Sequence, residues 1–144
     1  MIRKAVFNDI FEIVALEKKV FNHTLGENFL YEEFALNPFG FYFVYELNKM
    51  IVAYIGFRAI DSNADMMNFA VDPNYQGQGY GDQILSYVLD LLIKKGVKTF
   101  ALEVRRSNQR ARKLYEKYGF KESHLRKNYY ENEDAIVYIK EVQS

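Results

Sequence analysis

The fold turns on residues 68–85, NFAVDPNYQGQGYGDQIL. Residues 68–71 read as a strand end, Asp72-Pro73-Asn74 stops it, and Gln76-Gly77-Gln78-Gly79-Tyr80-Gly81 packs three glycines into five positions. Ile84, Leu85, Val88, Leu89 and Leu92 then recur at helical spacing, and Gly96 is a natural helix stop. Glycine loses more backbone freedom on folding than any other residue, so this density needs a reason other than stability. A helix N-terminus leaves amides unpaired and carries partial positive charge, and a glycine turn ahead of it can aim those amides at an anion. The pattern predicts a phosphate cradle.

Upstream, FYFVYELNKMIVAYIGFRAI (residues 41–60) is two aromatic and β-branched runs split by Leu47-Asn48-Lys49, the pattern of a hairpin. Asp61-Ser62-Asn63 makes the next turn before a strand over residues 66–72. Residues 2–6 read as a short strand, and Asn8 as the cap of a helix with Ile10, Ile13, Val14, Leu16, Val20 and Phe21 on one face. A second helix spans residues 28–36 and ends before Pro38. Downstream come a strand over 99–104, a helix capped by Ser107 and running through Tyr118, and strands over 120–126 and 135–141. The order βααβββαβαββ predicts one α/β domain over residues 1–144, a mixed sheet of about seven strands with helices on both faces.

Composition narrows the chemistry. Zero cysteines exclude disulfides, thiolate metal sites and a cysteine nucleophile, and two histidines (His23 and His124) leave little for a histidine metal site, so no metal is expected. No apolar run approaches the ~18 residues needed to cross a membrane, and MIRKAVFNDI lacks a signal peptide's apolar core. A cytoplasmic protein is expected. Net charge is zero but uneven: Lys94, Lys95, Lys98, Arg105, Arg106, Arg110, Arg112 and Lys113 face Glu103 alone, while Glu27, Glu32, Glu33 and Glu131, Glu133, Asp134 form two acidic stretches. These are either solvated faces or sites for an anionic and a cationic ligand.

Three phosphate-binding turns compete. A P-loop lacks its Lys-Ser/Thr. A dinucleotide turn begins at Gly77-Gln78-Gly79, and Glu103 stands where a ribose-binding acid belongs, but Asp82 takes the third glycine's place and too few residues follow to complete a doubly wound sheet. The third pattern, Q-x-x-G-x-G after a strand ending VDP, fits without exception and resembles the acetyl-CoA loop of the GNAT acetyltransferases. Downstream, LEVRRSNQRARKLYEKYGF (residues 102–120) and LRKNYYENEDAIVY (residues 125–138) resemble the RimI group within that family, which acetylates the N-terminal alanine of a small-subunit ribosomal protein.

The resemblance implies acetyl-CoA held by Phe69, Ala70 and Val71, by Gly77, Gln78, Gly79, Tyr80, Gly81 and Asp82, and by Asn108, with Glu103 as proton acceptor and Tyr115 as proton donor. It implies an acceptor protein N-terminus, such as that of a basic ribosomal protein, drawn to the acidic stretches and walled by Tyr129 and Tyr130. Taken alone, Glu103 is as well read as a surface ion pair, Tyr115 as one packing tyrosine among 12, and Asn108 as an ordinary first-turn residue. At pH 7 roughly a tenth of an N-terminal amine is neutral, against about one lysine in two thousand, so a single carboxylate suits the former better. Two features depart from the resemblance. Gly77 stands where many relatives carry a cation, and residues 21–40 lack the tryptophan and proline pattern of that group's acceptor segment. The competing readings are a GNAT enzyme for a small amine and a non-catalytic nucleotide- or RNA-binding module. The basic run carries no RNA-binding signature, so direct nucleic-acid binding is not expected.

Overall fold

The computed structural model describes residues 1–21, 24–130 and 132–143; His23 and Glu131, weighed above, lie outside them. Seven strands form one sheet: β1 (Ile2–Lys4), β2 (Gly40–Leu47), β3 (Met50–Ile60), β4 (Asn63–Val71), β5 (Thr99–Arg105), β6 (Lys121–Tyr130) and β7 (Glu133–Glu141). Their spatial order is β1-β2-β3-β4-β5-β7-β6, with β4 and β5 parallel and every other pair antiparallel. Helices α1 (Ile10–Phe21) and α2 (Glu27–Leu36) cover one face, around Ile10, Ile13, Leu30, Val44 and Tyr54. Helices α3 (Tyr80–Lys94) and α4 (Gln109–Lys117) cover the other, around Ile84, Leu85, Val88, Leu92, Phe100 and Tyr115. The mixed α/β sheet with helices on both faces is as the sequence predicts. No described helix is long and apolar enough to cross a membrane.

The hairpin forms at its expected turn because Asn48 and Lys49 both take positive φ (50° and 65°), the twist that closes two antiparallel strands with two residues. Other boundaries move. β1 stops at Lys4, β4 begins at Asn63, and β6 runs on to Tyr130. Asn8 does not cap α1: it sits inside a short 3-10 turn, Phe7–Asp9, where buried Asp9 accepts the Val6 amide (2.8 Å) and pairs with Arg3 (2.8 Å). Nor does Ser107 cap α4. Asn108 does, its Oδ1 accepting the Ala111 amide at 3.2 Å.

Two irregularities position the site. β4 carries a bulge at Met67, since Gly56 faces Asn68 while Phe57 faces Met66. A bulge bends its strand. On its other side β4 pairs with β5 only from Asn63–Thr99 to Asp65–Ala101. Beyond that point the two parallel strands part, and the sheet opens between them.

Opposite this opening, Glu33 anchors α2. It is buried and accepts from Arg58 (2.9 and 2.7 Å), from the Tyr42 hydroxyl (2.5 Å) and from Asn37 (3.0 Å). The Arg58 guanidinium, outweighing the cost of burial, holds this carboxyl down at about 2. A depressed carboxylate contributes stability above its unfolded-state pKa and loses it as pH falls through the folded-state value. Stability should therefore decline between about pH 4.5 and pH 2. Glu33→Gln should cost about 2–3 kcal/mol at pH 7 and nothing near pH 2. Urea unfolding of both proteins across this range checks it; parallel acid profiles would contradict it.

Candidate active site

The opening between β4 and β5 is a crevice of about 1270 Å³. It is lined by β4 from Asp65 to Val71, the glycine turn, β5 from Ala101 to Arg105, the start of α4, and Tyr129 and Tyr130 of β6. Every residue assigned to the site from sequence lines it except Gln78.

The glycine turn has a backbone shaped for an anion. Gly77 and Gly79 take φ of +78° and +93°, and Gly79 is the residue before α3, its carbonyl accepting from the Gln83 amide at 3.0 Å. No side chain caps this helix, so its first-turn amides remain available to a ligand. α4, by contrast, is capped by its own Asn108. Gly81 has a different explanation, because a Cβ there would meet Val71 at 3.1 Å and Phe69 at 3.4 Å. Part of the glycine density thus serves the close approach of α3 to β4. Asp82, a like charge beside an anion site, is neutralised: Lys117 and Tyr118 both hold its carboxylate, and the Lys117 ammonium lowers its pKa.

The β4 amides are not all free. Asn68 Oδ1 accepts the Phe69 amide (2.9 Å), and the Val71 carbonyl accepts from Gln76 Nε2 (3.1 Å), tying the turn to the strand it follows.

Glu103 sits on the face of β5 opposite Leu102 and Val104, as strand alternation requires. Its Oε1 accepts from Arg126 Nη1 at 2.9 Å, so the ion-pair reading holds for that oxygen. Its Oε2 is buried without a hydrogen-bond partner among the described residues. Polar atoms in that condition are rare in folded proteins. Arg126 also stacks on Tyr129 (4.4 Å to the ring centroid), and the approach of Glu103 raises the Tyr129 phenol.

Tyr115 comes to the crevice from the other face, on α4, 5% exposed and packed on Phe69 and Phe120. Burial pushes its phenol well above the ordinary value, so it stays protonated at neutral pH. Its hydroxyl donates to the Met66 Sδ at 3.7 Å, a weak bond that a stronger acceptor would displace.

Three carboxylates of the acidic stretches already have partners. Glu33 is consumed by Arg58, Glu133 accepts from Arg105 and Ser107, and Asp134 accepts the Asn128 amide. Among the described carboxylates, Asp65, Asp82 and Glu103 line the crevice itself. Tyr129 and Tyr130 do line it, the latter beneath Arg105 at 4.2 Å.

Sequence reading missed Glu17. It is fully buried on α1 and accepts from the Thr24 hydroxyl, the Leu25 amide and Asn68, fixing the segment after α1 against the bulged part of β4. Val20, Phe21, Thr24 and Leu25 thereby wall the crevice opposite the β6–β7 hairpin. A glutamate among apolar residues on a helix's inner face was the available signal. No group of three or more metal-ligating side chains occurs among the described residues.

Comparison with known proteins places this geometry. The acetyltransferase (GNAT) family matches residues 7–120. A Bacillus subtilis protein, provisionally named a ribosomal protein bS18-alanine N-acetyltransferase, is 31% identical over 138 residues, covering 94% of this chain and 91% of its own. The Escherichia coli K12 ribosomal protein bS18-alanine N-acetyltransferase is 44% identical over 94 residues, 62% of this chain and 64% of its own length. The crystal structure of the ribosomal-protein-S18-alanine N-acetyltransferase from Escherichia coli superposes with a TM-score of 0.92, covering 100% of this chain and 94% of that one at 31% identity.

Proposed function

Because this chain belongs to the acetyltransferase (GNAT) family and transfers an acetyl group from acetyl-CoA to an amine, we propose that the amine is the N-terminal α-amine of a protein, a ribosomal protein beginning with alanine. The observation that carries the reaction is the parting of β4 from β5, which brings Glu103 and Tyr115 to one crevice from opposite faces of the sheet. The acceptor rests on the names of the relatives and on a crevice walled by Phe21, Leu25, Tyr129 and Tyr130.

The glycine-turn amides and the N-terminus of α3 suit a diphosphate. Two positive-φ glycines, an uncapped helix and a neutralised Asp82 all fit that ligand. Acetyl-CoA supplies an activated carbonyl, so a neutral amine needs no covalent enzyme intermediate. Glu103 takes the proton of the incoming ammonium through Oε2, directly or by one water, while Arg126 holds Oε1 and orients the carboxylate. Tyr115, kept as a phenol by burial, gives up its bond to Met66 and donates to the departing sulfur, and it is reprotonated by the second proton that the nitrogen sheds as the amide forms. Tyr129 and Tyr130 flank the amine's approach.

The test is release of free coenzyme A with three acceptors: a basic peptide beginning with alanine, the same peptide with its N-terminus blocked, and a polyamine. The first should turn over and the other two should not. Turnover of the polyamine alone would replace this reading with a small-amine acetyltransferase.

A further inference from the structure

Of the two cations that line the crevice, Arg105 and Arg110, the second stands apart. Arg105 pairs with Glu133, Arg112 with Glu122, Lys117 with Asp82 and Arg126 with Glu103. Arg110, the second residue of α4, meets a neutral group instead: its Nη1 donates to Gln76 Oε1 at 2.9 Å, and it has no carboxylate partner among the described residues. Gln76 in turn donates to the Val71 carbonyl, so a bridge of two side chains joins α4 to the end of β4 across the glycine turn. A guanidinium carries five donors, and one bond to an amide leaves most of them unused.

Its guanidinium lies over Gly77. A Cβ on that residue would stand 3.1 Å from Arg110 Nη2. The positive φ at Gly77 disfavours a side chain there, and the missing side chain gives the guanidinium its place over the turn. The one carboxylate in the same turn, Asp82, is drawn away by Lys117 and Tyr118. The result is an unpaired planar cation, braced by a neutral amide, beside backbone donors at an uncapped helix N-terminus.

We propose that Arg110 is a cofactor-binding residue: its guanidinium reaches across from α4 to clamp the diphosphate of coenzyme A against the amides of the glycine turn. The proposal rests on the acetyl-CoA reading above. It also gives cofactor binding a mechanical consequence, because the helix so anchored carries Tyr115, and a bound diphosphate would hold that phenol in register with the sulfur.

Equilibrium binding of coenzyme A and of 3′-dephospho-coenzyme A, without acceptor and at low and high salt, tests it on wild type, Arg110→Ala, Arg110→Lys and Gln76→Ala. Arg110→Ala should weaken both ligands about tenfold and flatten the salt dependence, since a charge-assisted contact is lost. Arg110→Lys should recover part of the affinity and the salt dependence. Gln76→Ala, which removes the brace and keeps the charge, should lose less than Arg110→Ala. Unchanged affinity in Arg110→Ala overturns the proposal. So do equal losses in Arg110→Ala and Gln76→Ala with salt dependence intact, which would make Arg110 only a brace. A loss for coenzyme A but not for the dephospho form overturns the assignment to the diphosphate. Failure of wild type to bind either ligand would instead overturn the cofactor reading, and the proposal with it.

Discussion

Glu103→Gln should lower kcat by about 10²- to 10³-fold while leaving affinity for acetyl-CoA within a factor of about two. The substitution keeps the shape of the side chain, and its amide oxygen still accepts from Arg126, but no lone pair of suitable basicity remains for the ammonium proton. Arg126, which is half exposed, keeps that bond without its counter-charge, so the cost to folding is small. The loss should shrink as pH rises and the acceptor amine deprotonates unaided. Stopped assays over a pH series, paired with direct binding of acetyl-CoA, separate the two effects. Full turnover by the variant at neutral pH would remove Glu103 as proton acceptor.

The second large effect is expected at Gly79. Its φ of +93° lies where a β-branched residue is strained, and Gly79→Val should cost roughly 1–2 kcal/mol of stability on that account. A Cβ itself meets nothing closer than Gln83 Nε2 at 3.6 Å. A cofactor seated in the turn has no such room. Two methyl groups would stand among the donors at the start of α3, and coenzyme A affinity should fall by more than about 100-fold, a loss of some 3 kcal/mol. Gly79→Ala should fall between. A folded Gly79→Val protein that binds coenzyme A as tightly as wild type would refute the anion cradle.

What the sequence makes legible follows from local physics. The Asn48-Lys49 turn, the apolar face of α3 and the glycine turn each depend on neighbours a few residues away, and each lies where its pattern puts it. Glu103 and Tyr115 were legible as a pair only through the resemblance. What was hidden depends on strand order. β7 inserts between β5 and β6, and Arg126 reaches Glu103 across it, a meeting of residues 23 apart that no spacing reveals. Arg110 was visible only as one cation in a basic run, and it took the packing of α4 beside the turn to separate it from Arg105 and Arg112, which already have carboxylates. The caps were misread for a related reason. Asn8 and Ser107 have the right chemistry, but Asp9 and Asn108, one residue further on in each case, make the bonds. In the acidic stretches, charge counted along the chain overstates what is free because it ignores pairing in space: Glu33 and Glu133 are spent on Arg58 and Arg105.

One measurement tests the central claim most directly. A basic peptide that begins with alanine and carries internal lysines is incubated with the enzyme and acetyl-CoA, and fragment-ion mass spectrometry locates the acetyl group. The account predicts one acetyl on the α-amine, none on lysine, and loss of that product in Glu103→Gln. Acetyl on the lysines with a free N-terminus, or on neither while a small amine is consumed, would contradict it.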